Sequence, residues 1–178
     1  MKDSALLEIQ LTNTSPVSMG GYITGVAFNN PMQYITGVSF TDPHFDPLGS
    51  PGYDNGINGM PLGHFDIGAG MGGSWMGGGD PKPGIGVGQT KTFSFNLTGT
   101  NLSLLDENSF FNELSHEGSP EMGNQFIGIR FRGFENGGSD KVPGHPDPNQ
   151  MPEPATVVLL GAGIMGLGAW TMIRRRQR

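Results

Sequence analysis

The 178-residue chain reads as an all-β protein: a single antiparallel β-sandwich, jelly-roll-like or immunoglobulin-like, with Gly-rich loops and a C-terminal transmembrane helix. Three observations carry that expectation. Several short segments alternate apolar and polar residues with the period of two that a half-buried strand requires. The 31 Gly and 14 Pro, against only 15% charged residues, mark a chain rich in turns. One run of 19 residues near the C-terminus, Ala155 to Ile173, carries no charge.

The strands follow in order. Leu7, Ile9 and Leu11 alternate with Glu8, Gln10 and Thr12, and Asn13-Thr14-Ser15-Pro16 closes this segment as a turn. An internal echo comes next: Tyr22-Ile23-Thr24-Gly25-Val26-Ala27-Phe28 recurs as Tyr34-Ile35-Thr36-Gly37-Val38-Ser39-Phe40. Strict alternation places Tyr, Thr, Val and Phe of each copy on one face. The connection Asn29-Asn30-Pro31-Met32-Gln33 has a length that suits a hairpin. The echo is therefore expected to be two paired strands with a repeated core pattern.

Residues 41–90 change character, with 15 of the 31 glycines falling between Gly49 and Gly88. Such a stretch is expected to be polar loop. His-Phe-Asp occurs twice within it, giving His44, Asp46, His64 and Asp66 as a candidate metal set. On a strand, His and Asp two apart would share a face. Asp54, Asn55 and Asn58 could add oxygens, and calcium takes such ligands. No calcium-loop spacing is present, so the plainer reading is loop and no cofactor. Trp75 is either a core plug, the safer expectation, or an exposed stacking platform for sugar.

Lys91 to Thr98 is the clearest strand, with Phe93, Phe95 and Leu97 on one face. A short helix is expected between Leu102 and His116, with Asp106 as its N-cap. Gln125 to Arg132 returns to strand, placing Ile127, Ile129 and Phe131 opposite Arg130 and Arg132. Those arginines are expected to pair with carboxylates. The Gly-, Asp- and Pro-rich residues 135–150 read as a spacer between a domain at 1–134 and a C-terminal segment at 151–178.

Composition narrows function. Residues 1–150 hold 15 acidic side chains and 6 Lys or Arg, a balance that repels phosphate backbones and disfavours nucleic acid. Cysteine is absent, which excludes disulfides, thiolate metal sites and a Cys nucleophile. No nucleophile elbow, His-Glu-x-x-His helix or phosphate loop ending in Lys-Ser/Thr occurs. Gly161-Ala162-Gly163-Ile164-Met165-Gly166 imitates a dinucleotide fingerprint, but no acidic residue follows it to hold a ribose. The chain is therefore expected not to be an enzyme.

The C-terminal segment is the most informative. Pro152, Glu153 and Pro154 precede the uncharged run, and Arg174, Arg175, Arg176 and Arg178 follow it. A 19-residue helix is about 28 Å long, close to the hydrocarbon thickness of a bilayer. The arginines are expected to stay cytoplasmic, leaving the rest of the chain outside the inner membrane. Ala162 and Gly166 form a small-xxx-small face for helix packing.

In order and position these three parts resemble the PEP-CTERM sorting signal of exosortase substrates in Gram-negative bacteria. The resemblance covers about 28 residues. It implies recognition and cleavage by an intramembrane protease, exosortase, after transient residence in the inner membrane. It also implies delivery to the cell surface or an exopolysaccharide matrix. Export further calls for an N-terminal signal peptide. Met1 to Glu8 contains no apolar core, so the expected start lies upstream.

Three functions compete: a structural or adhesive surface protein, a carbohydrate- or calcium-binding module on the same route, and a secreted hydrolase. The first leads.

Overall fold

The structure, a computed structural model, describes residues 3–144. It is built from antiparallel strands with one short α-helix and three single-turn 3-10 helices among the described residues. β1 (Asp3–Thr12) pairs along its whole length with β8 (Thr90–Gly99), from Asp3 opposite Gly99 to Thr12 opposite Thr90. β3 (Ile35–Ser39) lies on the other side of β8, completing a three-stranded sheet in the order β1-β8-β3.

The second sheet has five strands in the order β10-β9-β2-β7-β4. These are β2 (Gly20–Phe28), β4 (Asp46–Leu48), β7 (Ile67–Gly70), β9 (Ile127–Phe134) and β10 (Ser139–Pro143). β5 (Ile57–Asn58) and β6 (His64–Phe65) form a small ribbon between β4 and β7 in the chain. The helix α1 (Glu107–Asn112) starts where expected. Asp106 Oδ1 accepts from Ser109 N at 2.8 Å and Ser109 Oγ accepts in return from Asp106 N.

The two sheets share one core. Phe93, Phe95 and Leu97 of β8 cluster with Ile23, Val26 and Phe28 of β2, Ile67 and Ala69 of β7, and Ile129 of β9. Phe28 meets Phe95 edge-on across the interface, ring centroids 5.2 Å apart. Each fully buried Phe contributes about 1.5–3 kcal/mol relative to exposure. The alternation read at β1, β8 and β9 is the alternation observed.

The echo behaves differently from expectation. Its two copies become β2 and β3, which lie in different sheets, so they do not form a hairpin. The reason lies in the residues between them. Asn29 and Asn30 are buried, and the side chain of Asn30 works as a backbone surrogate. Its amide donates to the carbonyls of Ile35 and Tyr53, and its Oδ1 accepts from Ile35 N. These bonds satisfy polar groups that a turn crossing between two sheets would otherwise leave bare.

Strict alternation also fails inside both copies. β2 and β3 each carry a bulge at the same place, between Ile23 and Gly25 and between Ile35 and Gly37. In each, the Thr hydroxyl donates at 3.4 Å to the carbonyl of the residue opposite the following Gly: Thr24 to Arg130, Thr36 to Thr98. The extra residue shifts the face, so Ile23 joins Val26 and Phe28 in the core. The repeat encodes a bulge, used once in each sheet.

The Gly-rich region is only partly loop: residues 46–70 carry four short strands, while 72–89 are mostly turns. Ala27, Gly68, Gly70, Gly25 and Gly128 make the outer face of the five-stranded sheet almost smooth. Leu48, Ile57, Leu62, Phe65 and Trp75 form a second buried cluster with Ala27 over it. A methyl at Gly128 would stand 3.0 Å from the Phe65 ring, and one at Gly25 would stand 3.3 Å from the Trp75 ring. Glycine here admits a second layer of aromatic side chains.

Two further readings move. Residues 139–143, expected in the spacer, are β10, paired with β9 from Ser139 opposite Arg132 to Pro143 opposite Gly128. One compact unit therefore runs to Gly144. Among the described residues no helix is long and apolar enough to cross a membrane. The span read at 155–173 lies outside them.

The smooth face gives a direct test. Alanine at Gly68 would push its methyl into the Val26 carbonyl, while the open position Gly78 meets nothing within 4 Å. Gly68→Ala is expected to lower unfolding free energy by about 1–3 kcal/mol, and Gly78→Ala to leave it within about 0.5 kcal/mol. Denaturant titration of the two variants measures both.

Candidate functional site

The four candidate metal ligands are dispersed. His44 is exposed in the turn before β4, and Asp46 is exposed on that edge strand. His64 lies in β6, 4.0 Å from the exposed Glu117. Asp66 is only 3% exposed and is engaged inside the protein. Its two oxygens accept from Asn30 N at 2.8 Å and Asn55 N at 2.6 Å. Among the described residues no three His, Asp or Glu side chains gather where they could share an ion. The two-residue spacing misled because neither His-Phe-Asp triplet is a continuous strand. His44 is held in a turn on Asp42, and β6 ends at Phe65 before Asp66 turns inward.

Trp75 is a core plug, 6% exposed, tilted against Phe65 with centroids 6.4 Å apart. Little of its ring is left open for a sugar to stack on. It forms part of the lining of an open cleft of about 400 Å³, with Leu48, Ser50, Asn58, Ser74 and Met76 among the others. The cleft contains no ionisable side chain, and this suits neither acid–base chemistry nor cation binding.

Three cations gather on the outer face of the five-stranded sheet. Arg130 and Lys141 are cross-strand partners on β9 and β10, and Arg132 follows on β9. Arg130 and Arg132 were expected to pair with carboxylates, but among the described residues neither they nor Lys141 form such a pair. Arg130 Nε donates to Met76 O at 3.3 Å, Arg132 donates to Gly78 O and Gly79 O, and Lys141 donates to Met60 O at 2.6 Å. Burial, then the neighbouring Arg132 charge, hold the Arg130 guanidinium below its ordinary pKa, with Asp140 partly offsetting them. Burial, then Arg130, act likewise on Lys141. The three hold glycine-rich loops down on the sheet by charge-assisted bonds.

Sequence reasoning missed the ion pair of Asp42 with Lys91. Lys91 Nζ also stands 5.5 Å from the Phe45 ring centroid and 5.9 Å from that of Phe93. Lys91 opens the clearest strand and Asp42 opens the Gly-rich region, so distance in the chain hid the contact. The buried amides of Asn13, Asn29 and Asn30 were missed for a related reason. Each looks like an ordinary turn residue, and only the doubled Asn before Pro31 hinted at a special junction.

The remaining candidates, Pro152, Glu153, Pro154, Ala162, Gly166, Arg174, Arg175, Arg176 and Arg178, lie outside the described residues. All of them except Arg178 fall in the part of the chain that matches a known family model, the PEP-CTERM protein-sorting motif, over residues 152–176. The chain carries a PEP-CTERM sorting signal. Such a signal implies export of a membrane-processed precursor and sorting by exosortase, a membrane protein. Neither the comparison with curated proteins nor that with solved structures gave a match. The family resemblance is therefore confined to the tail.

The Asp42–Lys91 pair predicts an acid response. Burial pushes the Asp42 carboxyl upward, but the Lys91 ammonium and the N–H groups of His44 and Phe45 outweigh it, and the net pKa is below the ordinary value. A carboxyl depressed on folding stabilises above its unfolded pKa of about 3.9 and loses that contribution as pH falls through the folded value. Asp42→Asn should therefore be less stable than wild type at pH 7, with the gap closing below about pH 4. Calorimetric melting across that range would show it.

Proposed function

We propose that the chain is an exported cell-surface or exopolysaccharide-matrix protein with a structural or adhesive role and no catalytic activity. Its β domain, read as a sandwich, is the cargo. The precursor is held in the inner membrane by residues 155–173, with the arginines of 174–178 cytoplasmic and the domain periplasmic until an exosortase cuts near Pro152 to Pro154.

The observation that carries this reading is the sorting motif at 152–176. Three features of the domain support it. Its polar interior groups are mostly spent on holding loops, as with Asp66 and the buried asparagines. The candidate metal set is dispersed and the Trp75 ring is covered, so the metal- and sugar-binding alternatives lose the residues that suggested them. The folded unit ends at Gly144, ahead of the motif.

Processing is the test. In a Gram-negative host with exosortase, intact-mass analysis of surface-extracted protein should show a chain lacking the residues after the Pro-Glu-Pro region. A Pro152→Ala, Glu153→Ala variant should keep its tail and remain in the inner-membrane fraction. Wild-type surface protein still ending at Arg178 would contradict the proposal.

A further inference from the structure

The two sheets have four edges, and three carry a device that blocks pairing with another chain. β4 is three residues long and contains Pro47. β10 contains Lys141 and ends at Pro143. β3 is five residues long and bulged. Short strands, Pro, Lys and bulges are the usual means of blunting a sheet edge. β1 carries only charge, at Asp3 and Glu8. It runs ten residues in unbroken register with β8, without Pro, Gly, Lys or a bulge. Among the described residues, no backbone hydrogen bond reaches its far side.

Its side chains are also incompletely covered. Ala5, Leu7, Ile9 and Leu11 face the core but are only partly buried, whereas Phe93 and Phe95 on the neighbouring strand are 0% exposed. Leu6, on the outer face, is 60% exposed. A further strand alongside β1 would cover this inner row and satisfy the free backbone groups.

We infer that β1 is an assembly edge that pairs antiparallel with β1 of a second copy of this chain. Symmetry restricts the register. An isologous pair must keep both inner rows on the same side, so residue i must face a residue of the same parity. The two longest such registers centre on Leu7 and on Glu8. The second sets Glu8 against Glu8, a like-charge pair. The first sets Leu7 against Leu7, Ala5 against Ile9, Ser4 against Gln10 and Leu6 against Glu8, and no carboxylate meets another. One register thus brings two copies together without a like-charge pair, which favours a second copy as the occupant. The result is a continuous six-stranded sheet across two molecules. This inference deepens the matrix reading above and rests on it only for where the copies meet.

The absence of native cysteine makes the register testable on the purified full chain in detergent, without any processing enzyme. Ser4→Cys with Gln10→Cys in one chain should give a covalent dimer with a short bismaleimide. Either single variant should give at least about tenfold less, because its two thiols lie six residues, about 20 Å, apart along the paired strands. Adding Leu6→Glu, opposite Glu8 of the other copy, should abolish the dimer, while Leu6→Lys should preserve it. Unfolding midpoints of both should match the parent, since Leu6 is exposed. Equal cross-linking by the single variants, no dimer from the double variant, or the same effect of Glu and Lys at position 6 would each overturn the inference. None of these results depends on whether the tail is cleaved.

Discussion

The buried contact between Asp66 and the backbone of Asn30 is the constraint on which the rest of the domain hangs. Asp66 sits where the β5–β6 ribbon returns to the sheet as β7, and its own N–H donates to Phe28 O at the end of β2. One carboxyl oxygen accepts from Asn30, where the chain leaves the five-stranded sheet, and the other from Asn55 in the Gly-rich region. Asn30 in turn holds Ile35, where the chain enters the three-stranded sheet, and Tyr53. A few hydrogen bonds in the dry interior therefore couple both sheets and the layer over the outer face. Their value lies less in net attraction than in what their loss would leave: buried N–H groups with no acceptor.

Much of this fold was legible as period. β1 and β8 keep strict alternation because they run straight and bury one face, β9 keeps its core face in order although Gly128 and Arg130 on its other face are buried as well, and the Asp106 cap announces α1. What was not legible depended on contacts across long stretches of chain. A five-residue connection fits a hairpin and a sheet crossover equally well, and only the burial of Asn30 decides between them. The repeated Ile-Thr-Gly looked like ordinary strand, yet both copies bulge there. Glycines at 68 and 70 looked like loop residues because composition does not reveal that a methyl would strike a carbonyl. The tail was legible for the opposite reason: its information is local order, triplet then apolar run then arginines.

Those two kinds of information divide the molecule. The address is written in residues 152–176. In the unit that runs to Gly144, polar residues hold the loops: Arg132 on the carbonyls of Gly78 and Gly79, Arg130 on that of Met76, Lys141 on that of Met60, asparagines at the corners, and Asp42 on Lys91. Asp66 of the second His-Phe-Asp triplet spends both carboxyl oxygens on the backbone N–H groups of Asn30 and Asn55.

The most direct measurement is hydrogen exchange on Asp66→Ala against wild type. Loss of the carboxyl strands the N–H groups of Asn30 and Asn55, and the cost should be about 2–4 kcal/mol. Amides of β2, β3 and β7 should then lose protection together, because one node serves both sheets. If the variant keeps wild-type stability, or if only residues near 55 exchange faster while β2 and β3 stay protected, this node does not hold the fold.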